Sequence, residues 1–222
     1  MNRTDEEEVE LLKRLWKEYG QPVVAGLAIT MVAVFGYKAY QKNQLETAAA
    51  ASQLYQNLLE TVQLGQTQEL SEEQQATVSH VVTTLQDDYA KSSYAAYGTL
   101  LLARQQVLAN NLEAAQKSLE WILGQKPERE VELITRSRLA RVLLGQSGDN
   151  AQAALDLLKP ATDKSFTATV ESVRGDAYLA LGQQDQARDA YQKALDAARE
   201  SGESRPLLQF KLDDLAPAVK EG

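Results

Sequence analysis

Hydrophobic and polar positions along this chain repeat mostly with the period of an amphipathic helix, and one early stretch departs from that pattern. Between Glu18 and Lys38 no charged residue occurs, and the run from Tyr19 to Tyr37 carries Pro22, Val23, Val24, Leu27, Ile29, Val32 and Phe35 with few polar atoms. Helical residues rise about 1.5 Å each, so this run reaches roughly 28 Å, close to the hydrocarbon thickness of about 30 Å. Trp16 and Tyr19 at one end, and Tyr37 and Tyr40 at the other, suit the headgroup region, while Lys17, Lys38 and Lys42 can snorkel outward. The pattern predicts a short acidic tail over 1–18 and a transmembrane anchor over 19–40.

Two other readings of this run are a cleaved secretory signal and a core helix of a soluble protein. A signal needs a basic leader, but the residues before the run hold Arg3, Lys13, Arg14 and Lys17 against Asp5, Glu6, Glu7, Glu8, Glu10 and Glu18. Ala48 to Ala51 offers a cleavage pattern only beyond Lys38 and Lys42, within a helical stretch. A core helix would carry more charge on one face, so a retained anchor is the favoured reading. Lys and Arg close to the span set orientation. Four lie on the N-terminal side, whereas Lys38 and Lys42 are followed by no Lys or Arg until Lys91, which predicts a cytoplasmic tail and, in a bacterium, a periplasmic domain. The chain has no cysteine, which is compatible with an oxidising compartment.

Beyond the anchor the helical period resumes. Ala48, Ala51, Tyr55, Leu58, Leu59 and Val62 form an apolar stripe ending near Gly65. Ser71-Glu72-Glu73-Gln74 has the form of a capping box opening a second helix, whose apolar face holds Val78, Val81, Val82, Leu85 and Tyr89. These predict a helical hairpin over 41–90 that links the anchor to the rest of the chain or caps it.

From residue 91 the sequence repeats itself. The clearest unit covers about 168–200, where Gly175, Tyr178, Leu181, Gly182, Ala187, Tyr191 and Ala194 fall at tetratricopeptide-repeat spacing. A unit over about 96–127 places Leu102, Ala103, Ala115, Leu119, Ile122 and Pro127 at equivalent offsets. A unit over about 132–161, with Leu139, Ala140, Ala154, Leu158 and Ala161, aligns after an insertion around Gly145 to Asn150. The small first-helix residues Ala103, Ala140 and Gly175 are spaced by 37 and 35, and the second-helix alanines Ala115, Ala154 and Ala187 by 39 and 33. The expected fold is all-α: a single transmembrane helix followed by a short solenoid of helical hairpins, with a capping helix over 205–215 starting at Pro206.

Charge and chemistry narrow the function. With 17 Lys and Arg against 25 Asp and Glu after Lys42, the domain reads as acidic and without a basic stripe, which argues against nucleic acid. One histidine and no cysteine nearly exclude the usual nucleophile, base and metal sets, no Gly-rich phosphate loop is present, and no cofactor is expected. Asp87-Asp88 and Asp213-Asp214 read as solvated helix-end acids, and His80 as a surface or interhelix residue. Trp121 is either a stacking contact between repeats or an exposed partner anchor, the first being favoured. Function by protein binding rather than catalysis is expected.

The order of short motifs along the chain resembles a known family. Leu11-Leu12-Lys13-Arg14-Leu15-Trp16-Lys17-Glu18-Tyr19-Gly20, then Lys38-Ala39-Tyr40, Tyr55-Gln56-Asn57, Ser93-Tyr94-Ala95-Ala96-Tyr97-Gly98, Leu102-Ala103-Arg104, Leu139-Ala140-Arg141-Val142 and Arg174-Gly175-Asp176-Ala177 are similar to the YfgM-like ancillary subunits of the bacterial SecYEG translocon. The resemblance runs over essentially the whole chain. It implies a single-pass inner-membrane protein whose periplasmic repeats associate with SecYEG and with the membrane-anchored chaperone PpiD, helping to hand emerging polypeptides to folding factors. It supplies no compact binding motif, so partner-binding residues stay unassigned. The alternatives are an autonomous holdase that binds unfolded secretory proteins directly, and a scaffold of another envelope complex.

Overall fold

The computed structural model describes residues 5–64, 70–159 and 163–215. Tail residues 1–4, Gly65, Ala161 and the C-terminal residues 216–222 lie outside the described residues. The chain divides into two compact units, Met1–Ala50 and Ala51–Gly222, with the division inside one helix, α1 (Asp5–Leu64).

In the first unit α1 carries the uncharged run with its side chains open on every face. Tyr19, Leu27, Ile29, Val32, Phe35 and Tyr37 are all exposed, as is Pro22, whose ring removes one helical hydrogen bond without ending the helix. One stretch within Pro22–Val62 is long and apolar enough to cross a membrane, with a mean hydropathy of 1.6 and none of it buried. Thr30 Oγ1 donates to the Gly26 carbonyl at 2.8 Å, so its hydroxyl is satisfied within the helix, as a lipid environment demands. The Trp16 indole lies over Gly20, its nearest ring carbon 3.1 Å from where a Cβ would stand.

The second unit is a run of antiparallel hairpins. After the end of α1 come α2 (Glu72–Asp88), α3 (Ser93–Leu108), α4 (Leu112–Gly124), α5 (Arg129–Gln146), α6 (Ala151–Leu158), α7 (Thr167–Ala180), α8 (Gln184–Glu200) and α9 (Pro206–Asp214). Local chemistry sets their starts. Ser71 Oγ accepts from the Gln74 amide at 3.2 Å while Gln74 Oε1 accepts from the Ser71 amide at 2.9 Å, the two arms of a capping box. Ser92 and Asn111 cap α3 and α4 through their side-chain oxygens, and Pro206 occupies the first turn of α9, where a missing N–H costs nothing. The segment around Gly145 to Asn150 contains a single 3₁₀ turn, Gly148–Asn150, between α5 and α6.

The core forms in patches between successive hairpins. Leu58 and Val62 of α1 pack with Val78 and Val82 of α2, and Ala51 packs with Leu85 and Ala95. Ala103, Ala115, Leu119, Ile122, Leu139 and Val142 join α3, α4 and α5, then Ala140, Ala154, Leu158, Val170, Val173 and Ala177 join α5, α6 and α7. Ala187, Tyr191, Ala194 and Leu195 close the series against Leu208 of α9. Each hairpin buries its apolar face only on its neighbours, as the units of a solenoid must.

The α3–α4 and α7–α8 hairpins turn in the same way from different residues. Gly182 (φ 73°) ends α7 in the left-handed region, with its amide on the Leu179 carbonyl and the Gln183 amide on the Tyr178 carbonyl, both at 2.9 Å. Asn110 (φ 56°) does the same after α3, its amide on Val107 at 3.0 Å and the Asn111 amide on Gln106 at 2.8 Å. Asparagine tolerates this conformation better than most side chains, so the turn survives the loss of glycine.

Candidate protein-binding surface

The tight contacts between paired helices come from small residues facing large ones. Ala103, Ala140, Ala115, Ala154 and Ala187 are buried, with Leu119, Leu139 and Leu158, while Leu102 and Tyr178 are partly buried against the flanking clusters. Gly175 is buried directly under the Tyr191 ring. The corresponding places in the α3–α4 hairpin hold Ala103 and Leu119, so a larger pair member in α8 is matched by a smaller one in α7. Tyr191 is fully buried and donates its phenol to Asp176 Oδ1 at 2.7 Å. Burial, then the bond and charge of Asp176, push its pKa far above the ordinary tyrosine value. Lys211 of α9 pairs with the same carboxylate oxygen and lies 5.4 Å from the Tyr191 ring centroid. Arg188 donates to the Leu215 carbonyl through Nε at 3.2 Å and Nη2 at 2.6 Å. These contacts fasten the end helix, and beside them a cleft of about 370 Å³ opens between Asp176, Leu179, Tyr191, Lys211, Asp214 and Leu215.

At the other end of the unit Tyr55 meets Tyr94 and Tyr97, with ring centroids 5.6 and 6.2 Å apart. Burial, and then the neighbouring Tyr97, raise the Tyr55 pKa. Trp121 is half-buried and packs against both the Leu85–Ala95 patch and the patch around Leu119 and Ile122, which makes it a contact between hairpins. His80 is exposed on α2, and Asp87, Asp88, Asp213 and Asp214 are exposed at the ends of α2 and α9.

The face shared by the first helices of the hairpins carries the surface chemistry. The small packing residues of these helices are followed by exposed Arg104 on α3, exposed Arg141 on α5 and half-buried Asp176 on α7. Arg138 stands one turn before Arg141 and reaches back to the Leu100 carbonyl of α3 at 3.4 Å. Partial desolvation, then the charges of Arg104 and Arg141, lower the Arg138 pKa; Arg141 is lowered by desolvation, with Asp176 opposing and Arg205 adding to the effect. All three arginines nonetheless keep an exposed face, and a guanidinium lowered in this way, as Arg138 and Arg141 are, stays protonated at neutral pH. This corrects the expectation of a domain without a basic stripe. The arginines stand on separate helices, and only stacking of α3 and α5 brings them together.

Sequence reasoning also missed Gly98. It is buried in α3 where a Cβ would stand 3.0 Å from Leu85 and 3.3 Å from Leu58, so its absence lets α3 approach α1 and α2. A glycine inside an otherwise apolar helical run was the available signal.

An all-α stack of helical hairpins held by small-on-large contacts is a tetratricopeptide-like binding scaffold. The chain belongs to the tetratricopeptide repeat-like domain family, whose profile matches residues 13–217. It is 27% identical to the ancillary SecYEG translocon subunit of Neisseria gonorrhoeae over 95% of this chain and 97% of that protein. It is 26% identical to the ancillary SecYEG translocon subunit of Escherichia coli K12, over 96% and 97%. The protein of the same name from Haemophilus influenzae is 27% identical over 95% and 97%. These are the relatives that the order of motifs in the sequence resembles. Their name implies association with a membrane translocon.

Proposed function

We propose that this protein is a single-pass inner-membrane subunit whose repeat domain lies in the periplasm and docks at a SecYEG-type translocon. There it links translocation to a membrane-anchored periplasmic chaperone of the PpiD kind. The observation that carries this reading is the end-to-end similarity to ancillary SecYEG translocon subunits, which includes the anchor as well as the repeats. The physics is compatible. A tethered solenoid holds a binding face beside the membrane at high effective concentration, so modest contacts suffice and no catalytic group is needed. The positive side of the span is the N-terminal tail, which supports a cytoplasmic N-terminus.

A second reading, a holdase for unfolded secretory chains, is favoured by one observation: Leu108 and Leu179 stand exposed on first helices at 67% and 44%. In-cell photocrosslinking from exposed positions on α3, α5 and α9 of the full chain, with adducts identified by mass spectrometry, separates the two. Adducts to translocon subunits and one chaperone are expected. Many secreted clients without them would favour the holdase, and a different envelope complex would overturn both readings.

A further inference from the structure

The second unit is strongly acidic, yet its first-helix face gathers Arg104, Arg138 and Arg141, and among the described residues none of the three has a carboxylate within ion-pair distance. Other arginines of the unit do: Arg136 holds Glu132, Arg174 holds Glu171, Arg188 holds Asp185, and Arg205 holds Glu203. Such pairing is the ordinary fate of an arginine among surplus carboxylates, and crowding three without it costs mutual repulsion. The register explains the geometry. Arg104 and Arg141 each follow the small residue that seats a first helix, and Arg138 is three residues before Arg141 on the same side of α5. The stripe ends at Asp176, which Tyr191 and Lys211 already engage.

We propose that Arg104, Arg138 and Arg141 form an anion-binding stripe that receives the carboxylates of a short acidic peptide segment of a partner protein. Guanidinium groups present fixed donor forks that match carboxylates, and exposed Tyr97 and Leu108 on the same side of α3 offer apolar contact to residues between the acids. A short segment fits the charge pattern better than an extended polyanion. Screening confines the stripe's attraction to about 8 Å at physiological salt, so a membrane sheet or nucleic acid would also meet the surrounding negative surface. The inference rests on the reading that the repeats bind proteins, and adds which chemistry they recognise.

The test uses the full chain in zwitterionic nanodiscs and a short fluorescein-labelled peptide alternating Glu with Leu, beside its Gln counterpart, read by fluorescence anisotropy. The acidic peptide is expected to bind, to weaken with added salt, and to lose roughly tenfold or more in affinity in R104Q/R138Q/R141Q. R104E alone should also weaken it, and because Arg104 makes no hydrogen bond among the described residues, that variant keeps its packing. Failure of the acidic peptide to bind, equal binding of the Gln peptide, or binding unchanged in R104E overturns the proposal. So does displacement of the peptide by phosphatidylglycerol in the nanodisc, which would assign the stripe to the membrane surface. Crosslinking to the translocon in cells is read independently. Adducts that persist when peptide binding fails leave the docking function standing without this site, and peptide binding without those adducts does the reverse.

Discussion

Replacing Gly175 with alanine sets two calculable effects against each other. In an open helix the change would help, because alanine is favoured over glycine by about 1 kcal/mol through backbone entropy. Here a Cβ on Gly175 would stand 2.9 Å from Cζ of Tyr191 and closer still to Cδ1 and Cε1, inside the distance that real Cβ atoms keep. The ring cannot slide aside cheaply, since it is fully buried and its hydroxyl is fixed on Asp176 at 2.7 Å. Overpacking of this kind costs about 1–3 kcal/mol, and displacing the phenol forfeits a hydrogen bond worth about 1 kcal/mol. The clash therefore wins, by about 1–3 kcal/mol net. For a unit of this size the midpoint should fall by roughly 2–4 °C per kcal/mol. Thermal unfolding of the full chain in uncharged detergent, followed by circular dichroism, measures the change. The same substitution in a Tyr191→Leu background, which copies the Leu119 of the α3–α4 hairpin, should be neutral or stabilising, because contacting residues do not add. A raised midpoint for Gly175→Ala with Tyr191 intact would refute the packing argument.

Other perturbations probe different links. Tyr191→Phe keeps the ring and loses the bond to Asp176, at a cost of about 1 kcal/mol near neutral pH. Because burial and Asp176 raise the folded pKa above the ordinary value of 10.0, the tyrosine's contribution is complete below that value and is lost as pH rises, so the variant should show a flatter alkaline limb in stability against pH. Glu132, lowered by its bond to Arg136 and then by the remaining charges, behaves oppositely: its contribution is complete above the ordinary value of 4.5 and fades as pH falls. Glu132→Gln should therefore flatten the acid limb, and an unchanged limb in urea titrations would count against the pairing. Leu208→Ala empties a buried position under α9, with an expected loss of about 2–5 kcal/mol. Hydrogen exchange should quicken in α9 and α8 well before α2, and uniform exchange would exclude local fastening.

The helical class was legible because a solenoid writes its packing into fixed spacings. Gly175 and Tyr191 could be named from sequence for that reason, although not their reciprocal sizes. Gly98 escaped because it seats α3 on α1 and α2, a contact to helices that precede the repeats and that the repeat spacing does not mark. The continuity of α1 through residue 64 was visible only as an apolar stripe resuming after the lysines, since nothing in Lys38 to Lys42 stops a helix. The arginine stripe was invisible for a different reason. Composition averages charge over the chain, whereas Arg104 and Arg138 lie on separate helices that become neighbours only through the stacking of α3 and α5.

That difference points to how such a scaffold divides its work. Within each hairpin the residue that seats the first helix must be small, because a second-helix side chain lies over it. The residue that follows turns by about 100° around the helix, and in α3 and α5 Arg104 and Arg141 are exposed there, so packing places little limit on their chemistry. At those next positions the chain carries Arg104, Arg141 and Asp176, two cations and then an acid tied into the end-helix fastening. Substitutions at Ala103, Ala140 or Gly175 should therefore act on stability, and substitutions one residue later, at Arg104 or Arg141, on binding with little effect on folding. An Arg141 charge change that lowered the unfolding midpoint as far as Gly175→Ala would show that packing and recognition are not separated in this way.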